Sequence, residues 1–317
     1  MDLSPEQIRL FGIFFPYAFQ KYTAIGDGRL VHYTSAEAAV SMVRSKEVWM
    51  RNSTAVNDFM EIEHGLECLT KAYNGDRGSK FKQVLNSMFP GFIEDLEKKF
   101  NGWIPHFRTD TYITCVSEHL PSEDRTGRLS MWRAYGGTTG VAVVLKNGPF
   151  LTQSNALNAY SSPVAYRNED EFAENFSSIT TAIETNSEFL ATLGQEKVMS
   201  NVFSMLRFAV LCTKHPGFHE EREWRVIYSP KFEPSKRLIL DTQIIRGVPQ
   251  KIFKIPLKNV PEEGFTGAEI PEFVERVIIG PTQYPIAIRD AIIGLLEEAG
   301  MENASSKVWA SDIPLRQ

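Results

Sequence analysis

The chain has 317 residues, 43% of them hydrophobic and 23% charged, with a net charge of −5 at neutral pH. That length suits one elaborated domain or two modest ones, and the composition argues against a disordered chain. No block of Lys or Arg is present, which disfavours a broad phosphate-binding surface but leaves room for a local basic pocket.

The N-terminal stretch "MDLSPEQIRLFGIFFPYAF" carries acids where a secretory signal would be positive. Pro16 interrupts its apolar run, which is too short to cross a bilayer. Cys68, Cys115 and Cys212 are far apart, in no metal-like spacing, and read as small buried hydrophobes in a reducing compartment. The expectation is a cytoplasmic protein of bacterial style, without a membrane anchor.

In chain order, residues 1–24 pattern as an amphipathic helical lead-in. "GDGRLVHYTS" gives a glycine-rich turn and a short strand over 30–34. Ser35 is placed to cap a helix whose apolar positions are Ala39, Met42 and Val43, and "VWMRN" is a second strand. "NDFMEIEHGLECLTKAYN" has helical spacing in Phe59, Ile62, Leu66 and Leu69, and residues 75–108 read as further helix with a polar loop. "TYITCVSE" is a buried strand, "LSMWRAYGG" a short helix ended by glycine, "GVAVVLK" an apolar strand and "SPVAYR" an edge strand. Residues 170–214 are helical in composition. "GFHEEREWRVIYS" is strand-like, as are "KIFKIPL", "RVIIGP" and "KVWASDIP", and "YPIAIRDAIIGLLEEAG" is a late helix ending at Gly300.

Short strands interspersed with helices predict an α+β fold rather than regular βαβ repetition. The expected organisation is a lead-in over 1–28 and one elaborated domain over 29–317, with a helical insertion at about 170–214. Neither GxGxxG nor GxxxxGK[ST] occurs.

Within "GFHEEREWRVIYS", an extended chain puts Glu221, Glu223 and Arg225 on one face and Trp224, Val226 and Tyr228 on the other. The charged face is either a solvated, mutually paired ladder or the lining of a site, where two carboxylates divide labour. His32 and Thr34 share a strand face and Tyr33 takes the other. The imidazole could bind a ribose or an amide, or be a core histidine satisfied by a backbone carbonyl. Trp132 and Tyr135, three apart, are either core neighbours or a platform for a flat ring. Asp58, Glu61 and His64 lie near one helix face, but helix capping explains the acids without a metal.

The ordered set "HYTS", "VWMRNSTAVND", "CVSE", "SMWRAYGG", "GVAVVL", "GFHEEREWRV" and "VIIGP" resembles a bacterial family of unknown function, numbered 2971, over nearly the whole chain. That family is in turn similar to a distant branch of the ADP-ribosyltransferase fold. The resemblance implies a split sheet pair of short mixed strands with peripheral helices. It implies NAD as substrate, held by His32, with Tyr33 or Tyr135 near the nicotinamide ribose and Glu223 as the catalytic acid. Glu221 completes a Glu-x-Glu element. Ser117 stands nearest to the usual Ser-Thr-Ser strand motif, and Arg225 would hold the glutamates or contact a phosphate. Thr34 and Trp132 join the implied NAD-binding set.

The expected function is therefore transfer of ADP-ribose from NAD to an acceptor that is a protein, a nucleic acid or a small molecule, with phage defence or toxicity as a setting and a regulatory or immunity partner conceivable. The alternative is a non-catalytic nucleotide-binding sensor or interaction module on the same scaffold. The enzymatic reading asks His32, Tyr135 and Glu223 to meet at one cleft.

Overall fold

The computed structural model describes residues 3–55 and 61–314. The chain opens on two helices, Pro5–Phe14 and Pro16–Ile25, separated where Pro16 cannot continue the first. Ser4 and Gln7 close a reciprocal capping box on the first of them. The strands follow as β1 (Arg29–Ser35), β2 (Glu47–Asn52), β3 (Tyr112–His119), β4 (Gly140–Lys146), β5 (Tyr160–Pro163) and β6 (Ala165–Tyr166). Then come β7 (Thr213–Lys214), β8 (Glu223–Tyr228), β9 (Ile239–Ile245), β10 (Val248–Pro256), β11 (Val274–Ile279) and β12 (Val308–Ala310).

Among the described residues the main sheet runs β12-β11-β4-β1-β3-β2-β10-β9, with β8 on the other edge of β3 and β5 beyond it. Its pairs are antiparallel except β11 with β12, so the fold is α+β with a mixed, largely antiparallel sheet. The branching happens at β3. Residues 117–119 pair with β1 and residues 112–113 pair with β2, on the same edge of one strand.

Directly opposed residues share a sheet face, which divides the buried clusters between two faces. Leu30, Val116, Val143, Trp224 and Val226 belong to one large cluster, closed by the helices Ala36–Ser45 and Pro285–Glu298. Ser35 caps the first of these helices, accepting from the Ala38 N–H at 3.2 Å. The opposite face carries two separate apolar patches. Ile113 and Ile227 pack under a helical layer that includes Glu61–Asn74, Phe92–Thr109, Glu169–Thr185 and Gln195–Leu211. Val31, Tyr33, Ala142 and Ile278 pack with Trp132.

Two helices of that layer meet at Gly65. A β-carbon there would fall 2.1 Å from the Val210 carbonyl oxygen, so only hydrogen fits between the backbones. Gly65→Ala is expected to force the helices apart and cost about 1–3 kcal/mol or more of folding stability, read as a lower urea midpoint.

The structure departs from the sequence reading at three points. "SPVAYR" divides at Val164 into β5 and β6, which pair with different partners. The helix read from "LSMWRAYGG" covers Leu129–Met131 and then widens into a π-turn over Trp132–Gly136. Strand β9, which sequence patterning did not indicate, pairs with β10 through a turn at Arg246 and Gly247.

Candidate functional site

Between the two apolar patches on the helical face lies a polar seam. Its floor comes from three adjacent strands. Val31 of β1 opposes Ser117 of β3, and Ser117 opposes Glu223 of β8. Strand β8 starts at Glu223, one residue after the left-handed Arg222 (φ 45°). Glu221 therefore ends the preceding 3-10 turn, Pro216–Glu221, instead of lying on the strand. The expected alternation holds from Glu223 onward, but every residue from Glu223 to Tyr228 is buried, so neither face is a solvated ladder.

The charges are paired inside. The Arg225 Nε donates to Glu223 Oε1 at 2.8 Å, and its Nη1 donates to the Leu211 carbonyl at the end of the Gln195–Leu211 helix at 2.5 Å. Lys214, on β7, donates from Nζ to Glu221 Oε2 at 2.7 Å and to Glu223 Oε2 at 3.2 Å. Burial alone would push the Glu223 carboxyl up. The adjacent Arg225 and Lys214 charges outweigh it and hold the group below the ordinary glutamate value. The short β6–β7 pair brings Tyr166 alongside, where its hydroxyl accepts the Glu223 N–H at 2.8 Å.

At the outer end the Tyr135 hydroxyl donates to Glu221 Oε1 at 2.9 Å. Burial first, and then the Glu221 charge, raise the Tyr135 pKa and keep the phenol protonated. Glu221 is the more open of the two acids, with 15% of its side chain exposed against 5% for Glu223. Lys214 also lies 4.7 Å from the ring centre of the exposed Phe218. Next to this mouth the Tyr33 hydroxyl accepts the Arg128 N–H at 2.9 Å, and the Arg128 guanidinium reaches the backbone carbonyls of Glu118, Glu220 and Glu221.

Trp132 and Tyr135 do not act as a stacked pair. The indole is buried edge-on against Tyr33, 4.9 Å between ring centres, and donates to the Thr126 carbonyl at 2.8 Å. It seats against Gly280, where a β-carbon would come within 2.8 Å of the ring. The widened turn sends Tyr135 toward Glu221 instead.

His32 and Thr34 point the other way. His32 opposes Val143 on the face of the larger cluster, so its imidazole does not meet Glu223 or Tyr135 at one cleft. The convergence asked of those three residues is corrected on this point. Alternation along β1 assigns His32 and Tyr33 to opposite faces, and the register across β3 gives the acids to the Tyr33 side. The His32 Nδ1 donates to the Cys115 carbonyl at 2.9 Å, and burial lowers its pKa, so the ring is neutral at pH 7. It borders an apolar cavity of about 200 Å³ with Met42, Val116, Leu145, Val226 and Phe273.

His64 has ordinary surroundings. The His64 Nε2 donates to the Arg167 carbonyl at 2.9 Å, and Asp58 lies outside the described residues. Among the described residues no group of three or more His, Cys, Asp or Glu is placed to hold a metal ion. The cysteines are all unbridged, with Cys68 and Cys212 buried and Cys115 half-buried. No helix among the described residues is long and apolar enough to cross a membrane.

Residues 131–226 match the family model of a protein of unknown function, DUF2971. The DUF2971 match takes in the turn that carries Trp132 and Tyr135, then Tyr166, Lys214, Glu221, Glu223 and Arg225. It leaves β1 and Ser117 outside. No curated protein and no solved structure matches the chain.

Lys214, Tyr166 and Arg128 were not singled out by sequence reasoning. A lone lysine between the apolar end of a long helix and "HPGF" was the one signal for Lys214. Tyr166 and Arg128 gave none, because each reaches the site through pairings distant in the chain.

Proposed function

We propose that the chain is an ADP-ribosyltransferase-like enzyme that cleaves NAD and passes ADP-ribose to an acceptor, working from the polar seam. The observation that carries this reading is the adjacency of β1, β3 and β8. An early, a middle and a late strand lie side by side, and Tyr33, Ser117 and Glu223 project on the face that also holds Tyr135, Glu221 and Arg225. His32 and Thr34 drop out of the binding set, and Tyr33 is the residue that β1 contributes.

The two acids then take different work. Breaking the bond between nicotinamide and ribose develops positive charge on the sugar, and a carboxylate fixed beside it stabilises the transition state more than ground-state NAD. Glu221, at the mouth and held by Tyr135 and Lys214, is the group able to reach a substrate. It would next accept the proton of the attacking group on the acceptor. Glu223, buried and paired with Arg225, fixes Lys214 and through it Glu221.

Incubation of the purified protein with labelled NAD and cell extract tests this. The wild type should release nicotinamide and label an acceptor, and Glu221→Gln should lower the rate by about 10²–10³, the scale of losing one electrostatic stabiliser. A folded wild type that neither releases nicotinamide nor transfers label defeats the proposal.

The full internal pairing of Glu223 favours one second reading, a nucleotide-binding sensor without chemistry. NAD at 100 times its dissociation constant would then stabilise the fold by about 2.7 kcal/mol, with no nicotinamide released.

A further inference from the structure

We infer that β9 is a homodimerisation strand, pairing antiparallel with β9 of a second copy about a two-fold axis at Thr242. Among the described residues this edge of the main sheet is open, since there β9 pairs only with β10 in the strand order. Its turn residues, Arg246 (φ 51°) and Gly247 (φ 80°), are both left-handed, the signature of a two-residue type I′ hairpin. In such a hairpin the closing pair, Ile245 and Val248, exchanges both backbone bonds, and the pattern alternates from there. Gln243, Asp241 and Ile239 thus bond inward to β10, while Leu240, Thr242 and Ile244 turn their N–H and C=O groups outward. The Thr242 N–H accordingly bonds to its neighbour Asp241 at 2.7 Å and not to β10.

The side chains are those of an interface rather than a solvated edge. Leu240 is 56% exposed and Ile244 74%, on the same face as Thr242, and Ile239 and Val248 are exposed as well. Sheet edges that stay single are ordinarily guarded by charge, proline or a bulge. Here β9 carries one charged residue, Asp241, whose carboxylate is held by Lys254 at 2.8 Å.

The sequence of β9 identifies the occupant. "ILDTQII" reads apolar, apolar, polar, Thr, polar, apolar, apolar, and is palindromic in character about Thr242. A two-fold pairing centred there sets Leu240 against Ile244 twice, Ile239 against Ile245 twice and Asp241 against Gln243 twice. Sliding the register by two residues one way puts Asp241 opposite Asp241. Sliding it the other way puts Thr242 opposite Ile244 and Asp241 opposite Ile245. An isologous contact requires a surface complementary to itself, and of these three registers the centred one matches apolar to apolar and polar to polar throughout. The two sheets would join into one continuous sheet across the axis.

Sedimentation of the full chain over a range of concentrations should show a reversible monomer–dimer equilibrium. Ile244→Lys should raise the dimer dissociation constant by at least about tenfold, since a lysine on the edge opposes pairing. The register is read by oxidative cross-linking. A mixture of Leu240→Cys and Ile244→Cys chains should yield cross-linked dimers that neither chain forms alone, while Thr242→Cys should cross-link by itself. A chain monomeric at every concentration, a dimer indifferent to Ile244→Lys, or cross-links in another register would overturn the inference.

Discussion

Arg225→Met is expected to cost about 3–5 kcal/mol of folding stability, the scale of removing one partner from a buried ion pair. The guanidinium, 1% exposed, neutralises Glu223 and satisfies the last carbonyl of the long helix from Gln195. Methionine of similar length fills the space but leaves Glu223 with Lys214 as its remaining cation and Leu211 without that donor. The pH dependence follows the same charges. Because the folded state holds the Glu223 pKa below its unfolded value, its contribution is complete above the unfolded value and fades as pH falls through the folded one. In Arg225→Met the depression is smaller, so this group loses less stability as pH falls, and the gap between variant and wild type narrows in acid. Urea unfolding followed at several pH values measures both effects.

Trp224→Ala should be of similar size, about 3–5 kcal/mol for emptying a buried tryptophan site. On the reverse of the seam, this indole packs 5.0 Å from the Tyr22 ring and donates from Nε1 to Glu118 Oε1 at 3.1 Å. Lys21 donates to the same oxygen at 2.8 Å, so the second N-terminal helix is anchored to β8 through one tryptophan and one glutamate. Trp224→Phe keeps a ring against Tyr22 and leaves Glu118 paired with Lys21, and should lose clearly less. Calorimetric unfolding of the two variants separates lost volume from the lost bond.

Much of the fold could be read from local pattern. Alternation over Glu223–Tyr228, the apolar run of β4 and the Ser35 cap each need only a few neighbouring residues, and each is found. The candidate site was legible in part. The sequence assigns His32 and Tyr33 to opposite faces of a strand, but which face meets Glu223 depends on pairings through Ser117, residues far apart in the chain. Glu221 falls off the strand because Arg222 adopts a left-handed backbone, which no pattern in "EERE" announces. β9 escaped notice because its polar centre, Asp241 to Gln243, interrupts the apolar residues that usually signal a strand. Trp132 and Tyr135 separated because the turn widens beyond α-helical spacing.

Cys115 makes contacts on both faces of the sheet. Its carbonyl receives the His32 imidazole beside the apolar cavity, while its thiol bonds to the Glu223 carboxylate in the seam. One residue's backbone and side chain thus report on opposite surfaces of the sheet. A displacement of β3 at this one residue would therefore shift a hydrogen-bond partner of the cavity and one of the seam together.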